Sequence, residues 1–549
     1  MTLQDQIYAN EFEIGNNATV TLNNGFGLNE AATGNNVIKS SSNDNGTVVL
    51  REVGTTNFQI GEDNSEIANL KISSASDVNI DKNIYTDDLT FTAAGNLVIN
   101  EGSNILKITG NITDNSSNKI TESKSNKTST IELLSNLEQD IDVILGDSGT
   151  EIGTIRVNKA KFSQNISASS LIANATDSRL TFDGASNQTI TVDTGIGSAA
   201  DRFSITNNNI AGTTFATGDI YANNFTSANS TTITNLNDSN ILDATGDIAG
   251  GTIQGVADGN GDINLSSTSG TQTISTILGT DGNAINNITT TAGSIVNVNK
   301  AIDVNNLTLN STTNFGNSTD IGIAVVNTAF TTNSNSVINN DYTLDLSAAN
   351  SITGLNKISG AGRLRLAASG TVLDSGIGID SNNKISALDI TSGSAINFSA
   401  NNNLHVDNIN LNRGVILNLS GSLSTSSNIY GDGTITIDTS SATFSTASTL
   451  GTSDDVIAAL TQTGTNDFTI NGDIYATDFS IATTGDFIFG GTNLNTTNAI
   501  DDADKNIQFN GTNSQVINSS LGDNSNSLGT ITINKTSGTI NFAKDIYAN

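Results

Sequence analysis

The sequence predicts an all-β protein, a parallel β-helix (solenoid) of roughly 20-residue coils. Three observations predict it: one tyrosine-marked motif recurs from end to end, apolar and polar residues alternate in short runs, and proline is absent. Each bears on a different level of the fold, from the repeat unit through the strand to the hydrogen-bonded stack.

The motif is clearest at Asp219-Ile220-Tyr221-Ala222-Asn223-Asn224-Phe225, with relatives opening at Ile7-Tyr8, Ile84-Tyr85, Ile474-Tyr475 and Ile546-Tyr547 and a divergent one at Ile429-Tyr430. Six of the seven tyrosines follow an isoleucine, and only Tyr342 stands outside the pattern. A residue confined to one repeated position marks a duplicated structural unit. Isoleucines 7, 84, 166, 220, 302, 474 and 546 mark the units, and the widest gap, between 302 and 474, hides a divergent unit at Leu404-His405-Val406. The blocks are therefore 7–83, 84–165, 166–219, 220–301, 302–403, 404–473 and 474–545, within one continuous solenoid over 1–549. A typical block holds three or four coils, about 27 in all at solenoid coil lengths.

Within a block the same short sequences return in order. Gln515-Val516-Ile517, Leu521-Gly522 and Leu528-Gly529-Thr530-Ile531-Thr532-Ile533-Asn534 precede the last Ile-Tyr segment. Gln188-Thr189-Ile190, Leu145-Gly146, Gln272-Thr273-Ile274 and Leu278-Gly279 are their counterparts upstream. The Thr-Ile-Thr-Ile type of run has period two, as in a half-buried strand. In the Ile-Tyr motif, Ile and Ala share parity but Phe lies five places after Ile. That break predicts a corner at the two intervening polar residues, with Ile and Phe inward on two faces and Tyr outward. One stretch departs from the strand pattern: Ser453-Asp454-Asp455-Val456-Ile457-Ala458-Ala459-Leu460 has a capping serine, an acidic first turn and apolar i, i+3 spacing, which predicts a small helical insertion over 453–462.

Composition narrows the function classes. A stack of strands has few places for a residue without an N–H, and turns here rely on 51 glycines with Asn and Asp instead. The absence of cysteine excludes disulfides and thiolate chemistry and suits a chain that crosses an oxidising compartment unfolded. With 54 acidic against 22 basic residues the net charge is −32, which argues against nucleic acid and against anionic lipid. No apolar run reaches a membrane span, and the first residues carry no signal-peptide pattern. The chain opens in one repeat and closes in another, the expectation for a fragment of a longer protein.

Candidate chemistry is sparse. His405, the only histidine, lies in the polar parity of its strand with no second His or Cys to join it, and reads as a surface residue. Asp501-Asp502-Ala503-Asp504 and Asp454-Asp455 are the densest carboxylate groups; grouped carboxylates cleave polysaccharides in some β-helical enzymes, but charge runs are most often solvated corners. Asp258, Asn260 and Asp262 alternate as in a calcium loop, yet Ile263-Asn264-Leu265-Ser266 supplies no bidentate glutamate, so an ordinary Gly/Asn turn competes with a calcium site. The expectation is a protein without catalytic residues or a resident cofactor, calcium being the one candidate ligand.

The blocks Leu528–Asn534 and Ile540–Asn549, their upstream copies and the Asn/Thr/Gly-rich composition without proline or cysteine resemble the passenger regions of type V autotransporters, particularly the surface cell antigens of Rickettsia-like intracellular bacteria. The resemblance implies a β-helical passenger displayed on the cell surface. It would be attached to the bacterial outer membrane through a region not present here, and would serve host-cell adhesion or form a coat. It carries over no catalytic residue. Expected partners are a host-cell receptor or glycan, or further copies of the chain in an S-layer-like coat or filament; polysaccharide cleavage is the weaker alternative.

Overall fold

A computed structural model of the chain is all-β, 56% strand, with parallel strands stacked as a β-solenoid of about 22 turns. It describes residues 1–549 except 4, 25, 27, 30–35, 101, 115–116, 124–126, 229–231, 238–239, 317–321, 369–375, 381, 394, 400–403, 414, 421–427, 440–443 and 482–483. The expected block boundary at 403 therefore lies outside the described residues. The fold class follows the expectation, but the turns are fewer and longer than the coil length assumed from the sequence. Coil length varies because the corners hold loops of different size. Ile67 pairs with Thr86, whereas Lys119 pairs with Ile144, a longer step along the chain.

Two compact units are distinguished, Met1–Ser267 with Gln272–Ile288, and Thr268–Thr271 with Thr289–Asn549. In the first, each strand pairs in parallel with the equivalent strand of the next coil, as Thr130–Leu133 does with Ile152–Val157 in register Ile131↔Ile155 and Leu133↔Val157. Alternation turns these residues inward, and all four are fully buried. The second unit is built alike. There Phe444–Thr446, Phe468–Ile470, Phe487–Phe489, Ile507–Phe509 and Ile531–Ile533 form one face, with Phe468 stacked on Phe487 at 4.7 Å between ring centroids.

Residues 453–462 do not form a helix. Asp454 and Asp455 sit in a tight turn, in which Asp455 N–H donates to Thr452 Oγ1, and Ile457–Thr463 is a strand paired with Ile474–Ile481. The three-residue spacing that imitates a helix belongs to a coil corner. Two outward residues separate inward Ile457 from Leu460, as they separate Ile67 from Leu70.

The Ile-Tyr motif is such a corner. Ile84–Phe91, Ile220–Ser227 and Ile474–Ile481 are eight-residue strands with one pattern: first, third, sixth and eighth residues buried, the two polar residues between third and sixth outward. One half of Ile220–Ser227 pairs with Ile241–Ala244 and the other with Ile248–Gly255, so the chain changes face within the motif. Both the inward Ile and Phe and the outward Tyr are placed as the parity break predicts.

The Leu-Gly dipeptide is its partner from the preceding coil. Ile60, Leu145, Ile196, Leu450 and Leu521 pair with Ile84, Ile166, Ile220, Ile474 and Ile546. The glycine that follows each is left-handed, and the next coil's backbone crosses close to it: a Cβ on Gly451 (φ 76°) would lie 2.0 Å from the Tyr475 carbonyl oxygen, and one on Gly61 (φ 73°) 2.0 Å from that of Tyr85. Only glycine meets both demands.

A second device closes the coils. Gln188, 2% exposed, donates from Nε2 to the carbonyls of Phe162 (2.9 Å) and Gln164 (3.1 Å), and Gln515, 1% exposed, to those of Phe489 (3.3 Å) and Gly491 (2.9 Å). Gln272 and Gln139 hold two carbonyls in the same way. In each pair the first carbonyl also accepts a backbone N–H from the next coil, as Phe162 does from Asp183 and Phe489 from Asn510, and the second, at the bend, gains its donor from the glutamine. Alongside run Asx ladders: Asp88 Oδ1 accepts from Asn111 N–H at 2.8 Å, and Asn111 Oδ1 accepts from Asp140 N–H at 2.9 Å.

Candidate functional site

The residues singled out in the sequence fall on corners. Asp258 is exposed in a turn, and its Oδ1 accepts from Ala284 N–H at 3.2 Å. Asn260 Oδ1 accepts from Ala257 N–H at 3.1 Å, and Asp262 Oδ1 from the amides of Asn286 and Asn287 at 3.1 and 2.8 Å. The three oxygens thus serve the turn and the adjoining coil. Among the described residues no group of three or more His, Cys, Asp or Glu is arranged to hold a metal. Asp502 caps the Ile481 N–H and accepts from Ser480 Oγ, while Asp501 and Asp504 are exposed.

His405 departs from the surface reading. It occupies the tyrosine position of the divergent corner, with Leu404 paired to Ile377, His405 N–H donating to the Ile377 carbonyl at 2.7 Å, and Gly378 left-handed (φ 82°) against the His405 carbonyl. Where the other corners leave this side chain half-exposed, His405 is 7% exposed and its Nδ1 has no hydrogen-bond partner. Parity alone puts it outward. The turn from Asp380 to Asn383, which follows Gly378, brings Asp380 and Lys384 beside the imidazole. Burial lowers the pKa; Asp380 opposes this and Lys384 adds to it.

A concave site lies in the second unit, around the tyrosine that breaks the repeat pattern. Tyr342 is fully buried, its hydroxyl donates to the Lys300 carbonyl at 2.8 Å, and burial raises its pKa. In the strand Ile358–Ala368, Gly360 pairs with Ile385 and Arg363 with Ala387, so Ala361 and Gly362 oppose Ser386 alone. This is a β-bulge. On the other side Val337 pairs with Ser359 and Thr343 with Arg363, so five residues, 338–342, span what three, 360–362, span below. The longer segment stands out as the Asn340-Asp341 turn (Asp341 φ 64°), leaving a depression over the shorter one.

Two adjoining cavities result, of about 370 and 710 Å³, and Ala361 and Ser386 line both. Asn340, Asp341 and Arg363 edge the first; Asn382, Lys384 and Asp407 edge the second. The floor is flat by necessity, since a Cβ on Gly360 would lie 2.2 Å from the Ile338 carbonyl and one on Gly362 2.4 Å from that of Asn339. The edges carry paired donors and acceptors: Asn340 donates to Asp341 at 2.8 Å, Lys384 to Asp407 at 3.2 Å, and Arg363 Nη1 pairs with Asp389. None of these edge residues is evident from motif reading; Tyr342 and Gly360-Ala361-Gly362 are the signals that could have found them.

Fold and site together define a β-solenoid with a polar surface groove. Comparison with known proteins finds no matching family model, no matching curated protein and no matching solved structure. Among the described residues no helix is long and apolar enough to cross a membrane, which leaves β-barrels unaddressed.

Proposed function

We propose that this chain is a surface-displayed, adhesive passenger region of a bacterial protein, held at the outer membrane through sequence beyond it, with a binding and structural role rather than a catalytic one. The observation that supports the reading best is the corner itself. Interlocked Leu-Gly and Ile-Tyr segments, repeated block after block, make a stiff scaffold from backbone contacts and leave the outward positions to Asn, Thr, Ser, Asp and Tyr. Such a scaffold presents polar side chains at fixed spacing, which suits recognition of a polar partner. The partner would be a host-cell receptor or glycan.

Labelled protein 1–549 applied to host cells should bind saturably and above an unrelated protein of similar negative charge. Binding no better than that control overturns the adhesive reading. Electron micrographs showing ordered sheets or filaments at rising concentration would favour the coat-forming alternative instead.

A further inference from the structure

We propose that the groove over Gly360-Ala361-Gly362 is a binding site for a neutral, hydroxyl-rich oligosaccharide, an inference that rests on the adhesive reading above and gives it a place and a ligand class. A sugar hydroxyl is at once donor and acceptor, so vicinal hydroxyls are best met by a donor and an acceptor held side by side. The groove has such couples at both ends: Asn340 with Asp341, and Lys384 with Asp407. Each couple is cross-linked, which fixes its geometry, yet Lys384 keeps two further N–H donors and the carboxylates keep lone pairs. Hydrogen bonds to charged groups are the stronger kind. Arg363, with one nitrogen on Asp389, lines the first cavity beside the Asn340–Asp341 couple.

The floor fits as well. Between the couples the strand offers only Gly360, Ala361 and Gly362, with Ser386 of the neighbouring strand beside them, so a sugar ring can lie along the backbone against small side chains and one hydroxyl. The walls are paired strands and a hydrogen-bonded turn, so little order is lost on binding. Competing ligand classes fit less well. An anionic saccharide or nucleic acid would meet Asp341 and Asp407 on a chain of net charge −32. A peptide strand would find a floor of Gly360, Ala361, Gly362 and Ser386, which offers an anchoring side chain little apolar surface.

The test uses the whole 549-residue chain. Calorimetric titration with maltohexaose, chitohexaose, cellohexaose and a poly-N-acetyllactosamine hexasaccharide should find at least one that binds. Ala361→Trp, which fills the floor, should weaken that binding by about tenfold or more with an unchanged melting temperature. Asp341→Asn with Asp407→Asn should weaken it comparably without altering packing, and serves if Ala361→Trp fails to fold. The proposal is overturned if none of the four binds at about 10 mM, a range that would capture even weak sites, or if binding is indifferent to these variants, or if only sulfated or uronic saccharides bind. Cell attachment is scored separately. Wild-type attachment without saccharide binding sinks the groove and leaves adhesion standing; saccharide binding without attachment does the reverse.

Discussion

Two corners of the second unit share one backbone and differ in what hangs from it. Leu450-Gly451 lies against Ile474-Tyr475, and Ile377-Gly378 against Leu404-His405, each with a left-handed glycine under the next coil's carbonyl. In the first the tyrosine is half-exposed; in the second the imidazole is covered. The corner is thus specified by glycine and carbonyl, and the environment of the outward side chain is set by the neighbouring turn.

The largest test of this comparison attacks what the corners share. Gly451→Val adds a branched Cβ in a left-handed conformation, 2.0 Å from the Tyr475 oxygen, and should cost more than about 4 kcal/mol or abolish folding. Gly378→Val should behave alike, since its Cβ would lie 2.4 Å from the His405 oxygen. Gly149→Ala, left-handed (φ 82°) but with open space around it, should cost only about 1–2 kcal/mol, separating strain from collision. Urea midpoints measure all three.

Next comes the glutamine clasp. Gln515→Leu leaves the buried Gly491 carbonyl without its donor, while the Phe489 carbonyl keeps the Asn510 N–H, and should cost about 1–3 kcal/mol. A loss below about 0.5 kcal/mol, within the range of surface substitutions, would show the clasp to be incidental.

The corners' difference is read by pH. Burial holds the folded His405 pKa below the ordinary 6.5, so the unfolded chain takes up its proton first as pH falls. Stability contributed by neutral His405 is complete above about 6.5 and declines as pH drops from there toward the folded value. Melting temperatures of wild type and His405→Gln, taken between neutral and mildly acidic pH, should diverge in slope, the variant being flatter in that window. The smallest effect belongs to the other corner: Tyr475→Phe should change stability by no more than about 0.5 kcal/mol, because its ring is already partly in water.

What can be read from the sequence is whatever repeats. Period-two runs, the parity break at the two polar residues of the Ile-Tyr motif and the Leu-Gly dipeptides each predict a structural device present at several corners. Gln139-Asp140-Ile141 is a further Gln-x-Ile clasp that its divergent surroundings disguise. Misreadings arise where a corner imitates something else: the inward-outward-outward-inward order of Ile457–Leu460 has helical spacing, and parity places His405 outward without regard to the turn that covers it. The groove is illegible because it comes from a mismatch in length between consecutive coils, five residues against three, which no local pattern records. Its trace in the sequence is negative, a tyrosine where the repeat has none.

The glycine–carbonyl contact bears on how such a chain can change over generations. Because the corner is made by main-chain atoms, the position occupied by Tyr85, Ser167, Tyr221, His405 and Tyr475 accepts side chains of different size and polarity. Mutations there are tolerated by the scaffold and seen by whatever touches the surface. The exterior can drift rapidly over an interior that cannot, a property that would serve the surface display proposed above.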